Sequence, residues 1–264
     1  MKIGFIGCGN MATAMLKGIL KSGEVEASDM IASAKSDKTR EKIEKELGIR
    51  KADNNAQVVD FADVVFLAVK PQFLEGVLDE IRGSVKAGQI FISIAPGKTL
   101  QWLGERLGEN TKVIRTMPNT PAMVGEGMTA LCVNELITEE ETALAVKLCD
   151  TFGKTEVIPE HLMDAVVGVS GSSPAYVFMF LEAMADAAVA DGMPRAQAYK
   201  FAAQSVLGSA KLMQETGKHP GELKDMVCSP AGTTIQAVRV LEEKGFRSAV
   251  IEAQTGCVKK AKGM

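Results

Sequence analysis

The chain has 264 residues, 46% of them hydrophobic and 24% charged, with a formal net charge of −3. That is an ordinary globular composition with enough length for one or two proper cores, no basic field for nucleic acid and no polybasic patch for a membrane surface. Aromatic content is only 5% and the two histidines, His161 and His219, lie far apart, which leaves little for base stacking, a metal centre or a serine–histidine triad.

The five cysteines (Cys8, Cys132, Cys149, Cys228 and Cys257) are never closer than about 17 residues, so no zinc knuckle or redox pair is indicated. Their odd number, without an export signal, argues for reduced thiols and a cytoplasmic setting. The apolar run Ala175 to Ala190 contains Glu182 and Asp186 and is too short to span a bilayer comfortably. Gly4, Gly7 and Gly9 interrupt any signal-peptide core at the N-terminus.

In chain order, Ile3 to Ile6 is a short apolar strand, followed by the turn Gly7-Cys8-Gly9-Asn10-Met11-Ala12 and a helix from Asn10 to Lys21 that ends near Gly23. Met30 to Ser33 is a second strand, and Lys38 to Leu47 a charged amphipathic helix stopped at Gly48, with Asp37 expected as its cap. Val64 to Val69 and Ile90 to Ala95 are continuous apolar runs, as strands covered on both faces would be, with helical spacing from Leu74 to Val85 between them. Val113–Thr116 and Met128–Val133 add two strands. Thr138 to Phe152 is a helix opened by a capping box of Thr138 and Glu141. The alternation predicts an α/β fold, a Rossmann-like doubly wound sheet. From about His161 strand signals stop and helices follow: Pro174–Ala190, Pro194–Thr216, Thr233–Lys244 and Phe246–Lys262. The expected division is a dinucleotide-binding domain over 1–160 and an all-helical C-terminal domain over 161–264, with apolar faces too extensive to bury within one copy.

The first turn carries the strongest chemical signal. Gly7 allows the tight bend, Gly9 leaves room for a pyrophosphate, and Ala12 lets the helix approach the strand, while the helix start offers free N–H groups to an anion. Ile6, Gly7, Cys8, Gly9, Asn10 and Met11 are therefore candidate cofactor contacts. An NAD site would place an acid at the end of the second strand. Here Ser33, Lys35 and Ser36 stand there instead, which favours the 2′-phosphate of NADP and puts Ser33 and Lys35 in the site; NADH stays possible. Ligands of such sheets sit beyond the carboxyl ends of the strands, so Ala68, Val69, Lys70 and Pro71, and Ala95 in the segment Ser93 to Gly97, should line the same cleft.

Three further segments combine small hydroxyl residues with Pro and Gly: Met117 to Pro121, Ser170 to Tyr176, and Ser229 to Thr234. The last two lead into helices. Each serves equally as an ordinary helix cap or as a cradle for a carboxylate. Ser229 to Thr234 is the better candidate, because Gly232 permits close approach and Thr233 and Thr234 follow.

Together the opening turn, Ala68-Val69-Lys70-Pro71, Met117-Pro118-Asn119-Thr120-Pro121 and Asp225 to Thr234 resemble the pyrroline-5-carboxylate reductase family, in its order and across the whole chain. The resemblance implies NAD(P)H-dependent reduction of 1-pyrroline-5-carboxylate to L-proline. It also implies a helical domain that dimerises and binds substrate, with decamers among the larger assemblies. It places Asn55 at the cofactor and Gly232, Thr233 and Thr234 at the substrate carboxylate, with the Thr234 hydroxyl near the imine nitrogen as catalytic group. No metal is implied. Two positions depart from the family pattern: Ser173 and Ala231 stand where glycines are usual. A β-hydroxyacid dehydrogenase, with Lys200 or Lys211 as base, and a non-catalytic NADP-sensing protein are the competing readings; the first lacks a convincing lysine motif and the second has no need of the Gly232–Thr234 cradle.

Overall fold

The computed structural model describes residues 1–263, the side chains of Asp37 and Lys42 excepted. Its elements run β1 (Ile3–Ile6), α1 (Asn10–Ser22), β2 (Met30–Ser33), α2 (Asp37–Leu47), β3 (Arg50–Lys51), α3 (Asn55–Phe61), β4 (Val64–Leu67), α4 (Pro71–Ile81), β5 (Ile90–Ser93), α5 (Leu100–Leu107), β6 (Lys112–Met117), β7 (Gly127–Val133), α6 (Glu139–Asp150) and β8 (Gly153–Val157). Then follow α7 (Met163–Val166), a π-helical turn (Val167–Gly171), α8 (Ser173–Ala190), α9 (Arg195–Thr216), α10 (Pro220–Val227), α11 (Thr233–Glu243) and α12 (Phe246–Ala261).

One eight-stranded sheet has the order β3-β2-β1-β4-β5-β6-β7-β8. Strands β1 to β6 are parallel, in the 3-2-1-4-5-6 order of a doubly wound dinucleotide fold. The sheet is not parallel throughout: β7 runs antiparallel to β6, and β8 parallel to β7. Strands β1, β2, β4 and β5 are buried at every position because helices cover both faces. On one face Phe5 and Ile92 pack with Met15, Leu16 and Ile19 of α1, Ile43 of α2 and Leu148 of α6. On the other, Val65 and Phe91 meet Val58 of α3, Leu74 and Leu78 of α4 and Leu103 of α5. Phe5 and Phe66, paired across β1 and β4, stack with ring centroids 4.5 Å apart.

Local chemistry sets the helix ends. Gly23 and Gly48 close α1 and α2 in the left-handed conformation, with φ of 73° and 66°. The cap of α2 is Ser36, whose Oγ accepts the Thr39 N–H at 3.2 Å, and not the expected Asp37, whose side chain lies outside the described residues. Pro71 occupies the first turn of α4, where its missing N–H costs nothing. Elements not anticipated from sequence are β3, α3, α5, β8, α7, the π-helical turn Val167–Gly171 and α10.

Contacts divide the chain into two compact units: Met1–Gly171 with the stretch from Val258, and Ser172–Cys257. Within the second unit α8 and α9 pack together, yet among the described residues only Ala185, Ala198 and Ala202 are buried. Phe178, Met179, Phe201 and Ile251 are each more than 60% exposed. The helical run Glu160–Ala190 is 31 residues long and contains an 18-residue window with a mean hydropathy of 1.2, so by length and composition one helix among the described residues could cross a membrane.

Candidate active site

The turn after β1 is built around Gly7. Its φ of +95° suits glycine, and a Cβ there would lie 2.7 Å from the Ala68 carbonyl oxygen, so neither the bend nor the β1–β4 spacing tolerates a side chain. The Gly7 N–H donates to the Ser33 carbonyl at 3.1 Å, which ties the turn to the end of β2. Gly9 is the N-cap of α1, and a Cβ added to it would meet nothing within 4 Å; it faces open space. The first turn of α1 carries no acid, so its N–H groups and positive dipole end stay available to a phosphate. Ala12 is 1% exposed and seats α1 on the core.

Beside this turn lies a cavity of about 440 Å³ lined by Gly7, Ser33, Lys35, Arg40, Asn55, Val69 and Phe73, among others. Ser33 Oγ donates to Asn55 Oδ1 at 2.6 Å, and Asn55 Nδ2 donates to Glu80 Oε2 at 2.7 Å. The Asn55 N–H reaches the other Glu80 oxygen at 3.4 Å, so this carboxylate is tied down by the amide. Asp53 also lines the cavity. At the β2 exit itself the groups are hydroxyl and basic. Arg40 was not anticipated: from α2 it donates through Nε to the Ala34 carbonyl at 2.8 Å and through Nη2 to that of Lys35 at 3.1 Å. Lys35 Nζ sits 5.4 Å from the Phe73 ring centroid. Two cations and a hydroxyl at a β2 exit suit a 2′-phosphate. The signal was an arginine a few residues beyond the strand.

The other candidates are not among the residues that line this cavity. Cys8, Gly9 and Asn10 line a second recess of about 400 Å³ with Lys38, Thr39 and Lys45 of α2. Ile6 and Ala95 are buried, Met11 and Ala68 pack against the core, Lys70 is exposed as the N-cap of α4, and Pro71 follows it. Any role of Ile6 or Ala95 therefore runs through backbone atoms.

Farther along the sheet, Thr116 Oγ1 donates to the Ser93 carbonyl at 3.0 Å, joining the ends of β5 and β6. Arg115, 6% exposed, donates to Glu160 Oε1 at 2.9 Å, and the same oxygen accepts the Leu100 N–H at 2.7 Å. Burial, reinforced by the Glu160 carboxylate, pushes the neighbouring Cys132 thiol up to about 12, so it stays protonated and offers no thiolate.

In the second unit, Ala231 is left-handed with φ 59°, and Gly232 is the N-cap of α11. A Cβ on Gly232 would lie 2.3 Å from Ser229 Oγ. The Gly232 N–H already donates to the Ser229 carbonyl at 3.1 Å, so Gly232 shapes the turn, and the helix-start donors belong to Thr233 and Thr234. Thr233 is exposed and Thr234 half-buried; the first turn of α11 carries no acid to compete for them. Lys200 and Lys211 are exposed on α9, Lys211 3.6 Å from Glu215, as surface lysines would be.

The doubly wound order and the glycine cradle define a dinucleotide-dependent oxidoreductase. Residues 2–97 match the family model described as NADP oxidoreductase coenzyme F420-dependent, and residues 160–264 match that described as pyrroline-5-carboxylate reductase dimerisation. The pyrroline-5-carboxylate reductase of Escherichia coli (strain K12) is 56% identical over 260 residues, covering 98% of this chain and 97% of the relative. A solved pyrroline-5-carboxylate reductase from Coxiella burnetii superposes with a TM-score of 0.93 at 33% identity, covering 99% of this chain and 97% of its own. A Plasmodium falciparum pyrroline carboxylate reductase solved with NADP bound gives a TM-score of 0.89 at 28% identity, covering 100% and 97%. The chain belongs to the pyrroline-5-carboxylate reductase family, oxidoreductases that reduce 1-pyrroline-5-carboxylate to L-proline.

Proposed function

We propose that the chain reduces 1-pyrroline-5-carboxylate with NADPH, NADH being a poorer substitute, and that Thr234 relays the proton. Gly7, Gly9 and the start of α1 hold the pyrophosphate; Ser33, Lys35 and Arg40 hold the 2′-phosphate, and Asn55 fixes Ser33 beside it. When bound, the reduced nicotinamide supplies a hydride for the imine carbon. The rest falls to the protein. A protonated cyclic imine is already electrophilic, so positioning and carboxylate binding supply most of the effect. The N–H groups of Thr233 and Thr234 and the dipole of α11 bind the substrate carboxylate, with Gly232 folding the turn closely against Ser229. The Thr234 hydroxyl passes a proton from water to the imine nitrogen as a weak general acid.

Residues 161–264 act as the dimerisation and substrate-binding domain. The exposed apolar faces are covered by a second copy rather than by lipid, since Glu182 and Asp186 interrupt α8 and the family model matched there is one of dimerisation. The family resemblance adds to this reading an assembly of dimers into decamers, in the cytoplasm.

The observation that carries it is the helix-start turn of Ala231 to Thr234, with open donors, no acid and the half-buried Thr234 among them. The test is nicotinamide absorbance with pyrroline-5-carboxylate and either NADPH or NADH. Thr234→Ala is expected to lose turnover by at least about 100-fold, the usual size of a general-acid contribution, with NADPH affinity within about twofold. Unchanged turnover, or a lower KM for NADH than for NADPH, would overturn the corresponding role.

A further inference from the structure

The Met117–Pro121 segment leaves β6 at the same sheet edge as Gly7, Ala68 and Ala95. In a doubly wound sheet the first three strands carry the adenosine half of a dinucleotide and the next three the other half, so the β6 exit belongs to the reactive end. In this exit Asn119 uses its side-chain amide on three partners. Oδ1 accepts the Met128 N–H at 2.8 Å, and Nδ2 donates to Ser170 at both its carbonyl, 3.2 Å, and its Oγ, 3.1 Å. Ser170 lies in the π-helical turn Val167–Gly171, a rare geometry that is frequent at functional sites. Gly171 closes the same clasp: a Cβ there would lie 2.9 Å from the Met117 methyl.

We infer that Asn119 is a positioning residue for the hydride step: its amide locks the β6 exit loop to the π-helical turn and so sets the floor on which the reactive end of the cofactor is held. The amide is required chemically. An acceptor faces the Met128 N–H and a donor faces two Ser170 oxygens, a combination that neither a carboxylate nor a hydroxyl offers in that geometry. The inference rests on the family activity and adds a residue to it. A small misplacement at the reacting centre costs about 100-fold in rate without loss of binding.

The isosteric Asn119→Asp keeps the acceptor for Met128 and sets a carboxylate against the Ser170 carbonyl. In the full-length enzyme it should lower kcat at least tenfold and raise the primary isotope effect with NADPH deuterated at the transferred position. NADPH affinity should stay within twofold and the melting temperature near that of the wild type. Amide hydrogen exchange over 167–171, measured without cofactor or substrate, should rise at least tenfold. Ser170→Ala, which removes only the Oγ acceptor, should move the same readouts in the same direction by less. Wild-type kcat or unchanged exchange in Asn119→Asp would overturn the inference. Parallel loss of melting temperature and NADPH affinity in both variants would do so too, since it would make the residue merely structural. Failure of the wild type to reduce pyrroline-5-carboxylate would strike the activity instead, because the exchange measurement reads the clasp without it.

Discussion

Ala231 is the one non-glycine residue with positive φ among those described, at 59°, and it stands where the family usually has a glycine. A Cβ in the left-handed region costs about 1–2 kcal/mol, of which glycine would give back about 0.4–1 kcal/mol through a freer unfolded chain. Ala231→Gly is therefore expected to stabilise the protein by about 0.5–1 kcal/mol, seen as a higher urea midpoint at fixed protein concentration; a lower midpoint would contradict the strain. Ser173, the other departure, opens α8 in ordinary helical backbone with Pro174 beside it, so a Cβ there is without backbone cost. The two substitutions are alike in sequence and differ in consequence, because only φ separates them. Arg40 and Asn119 show the same gap. Arg40 sits on a helix whose pattern reads as solvated charge, and the partners of Asn119 lie 9 and 51 residues away, beyond any local pattern.

Helix α6 joins several local rules at one end. Thr138 Oγ1 accepts the Glu141 N–H at 3.2 Å, the Thr138 N–H donates to Glu141 Oε2 at 3.1 Å, and Lys112 Nζ of β6 donates to the same carboxylate at 2.5 Å. Burial opposes ionisation of Glu141, but the Lys112 ion pair and the Thr138 N–H outweigh it and hold its carboxyl below the usual range. A depressed folded-state pKa gives stability that is present above the unfolded value, about 4.3, and is lost as pH falls through the folded one. Thr138→Ala should cost about 1 kcal/mol at neutral pH. The stability gap between wild type and Glu141→Gln should narrow below about pH 4 in chemical denaturation. A gap independent of pH would refute the assignment.

Elements with a strong period were legible: the capping box of α6, the glycine stops of α1 and α2, and the continuous apolar runs of β4 and β5. Those missed are short or polar. Strand β3 is two exposed residues, β8 reads Gly-Lys-Thr-Glu-Val at the sheet edge, and α3 and α10 span seven and eight residues. The reversal of β7 was invisible for another reason: strand direction is decided by pairing, which leaves no mark on composition. At the candidate site the glycine turn and the hydroxyl-rich helix starts could be read locally, whereas the occupied N–H of Gly232 could not.

At the scale of the molecule, the unit from Ser172 to Cys257 buries only three alanines among its described residues, while Phe178 and Phe201 stand 65% and 67% exposed. Three alanines remove far too little apolar area to offset the entropy of ordering these helices, so their stability must come from another surface. Light scattering is expected to find a multiple of the 28.1 kDa chain, and melting to rise with protein concentration. Phe201→Asp should lower the mass toward one chain and the melting temperature with it; an unchanged mass would sink the idea.

That bare helical unit bears on how the protein is made. The sheet has its own core and can settle as soon as its strands have left the ribosome, but the helices that follow have almost nothing of their own to fold around. With a second copy covering them, as proposed above, their folding is coupled to that second polypeptide, and chains emerging side by side from one message would find each other sooner than chains diluted through the cell.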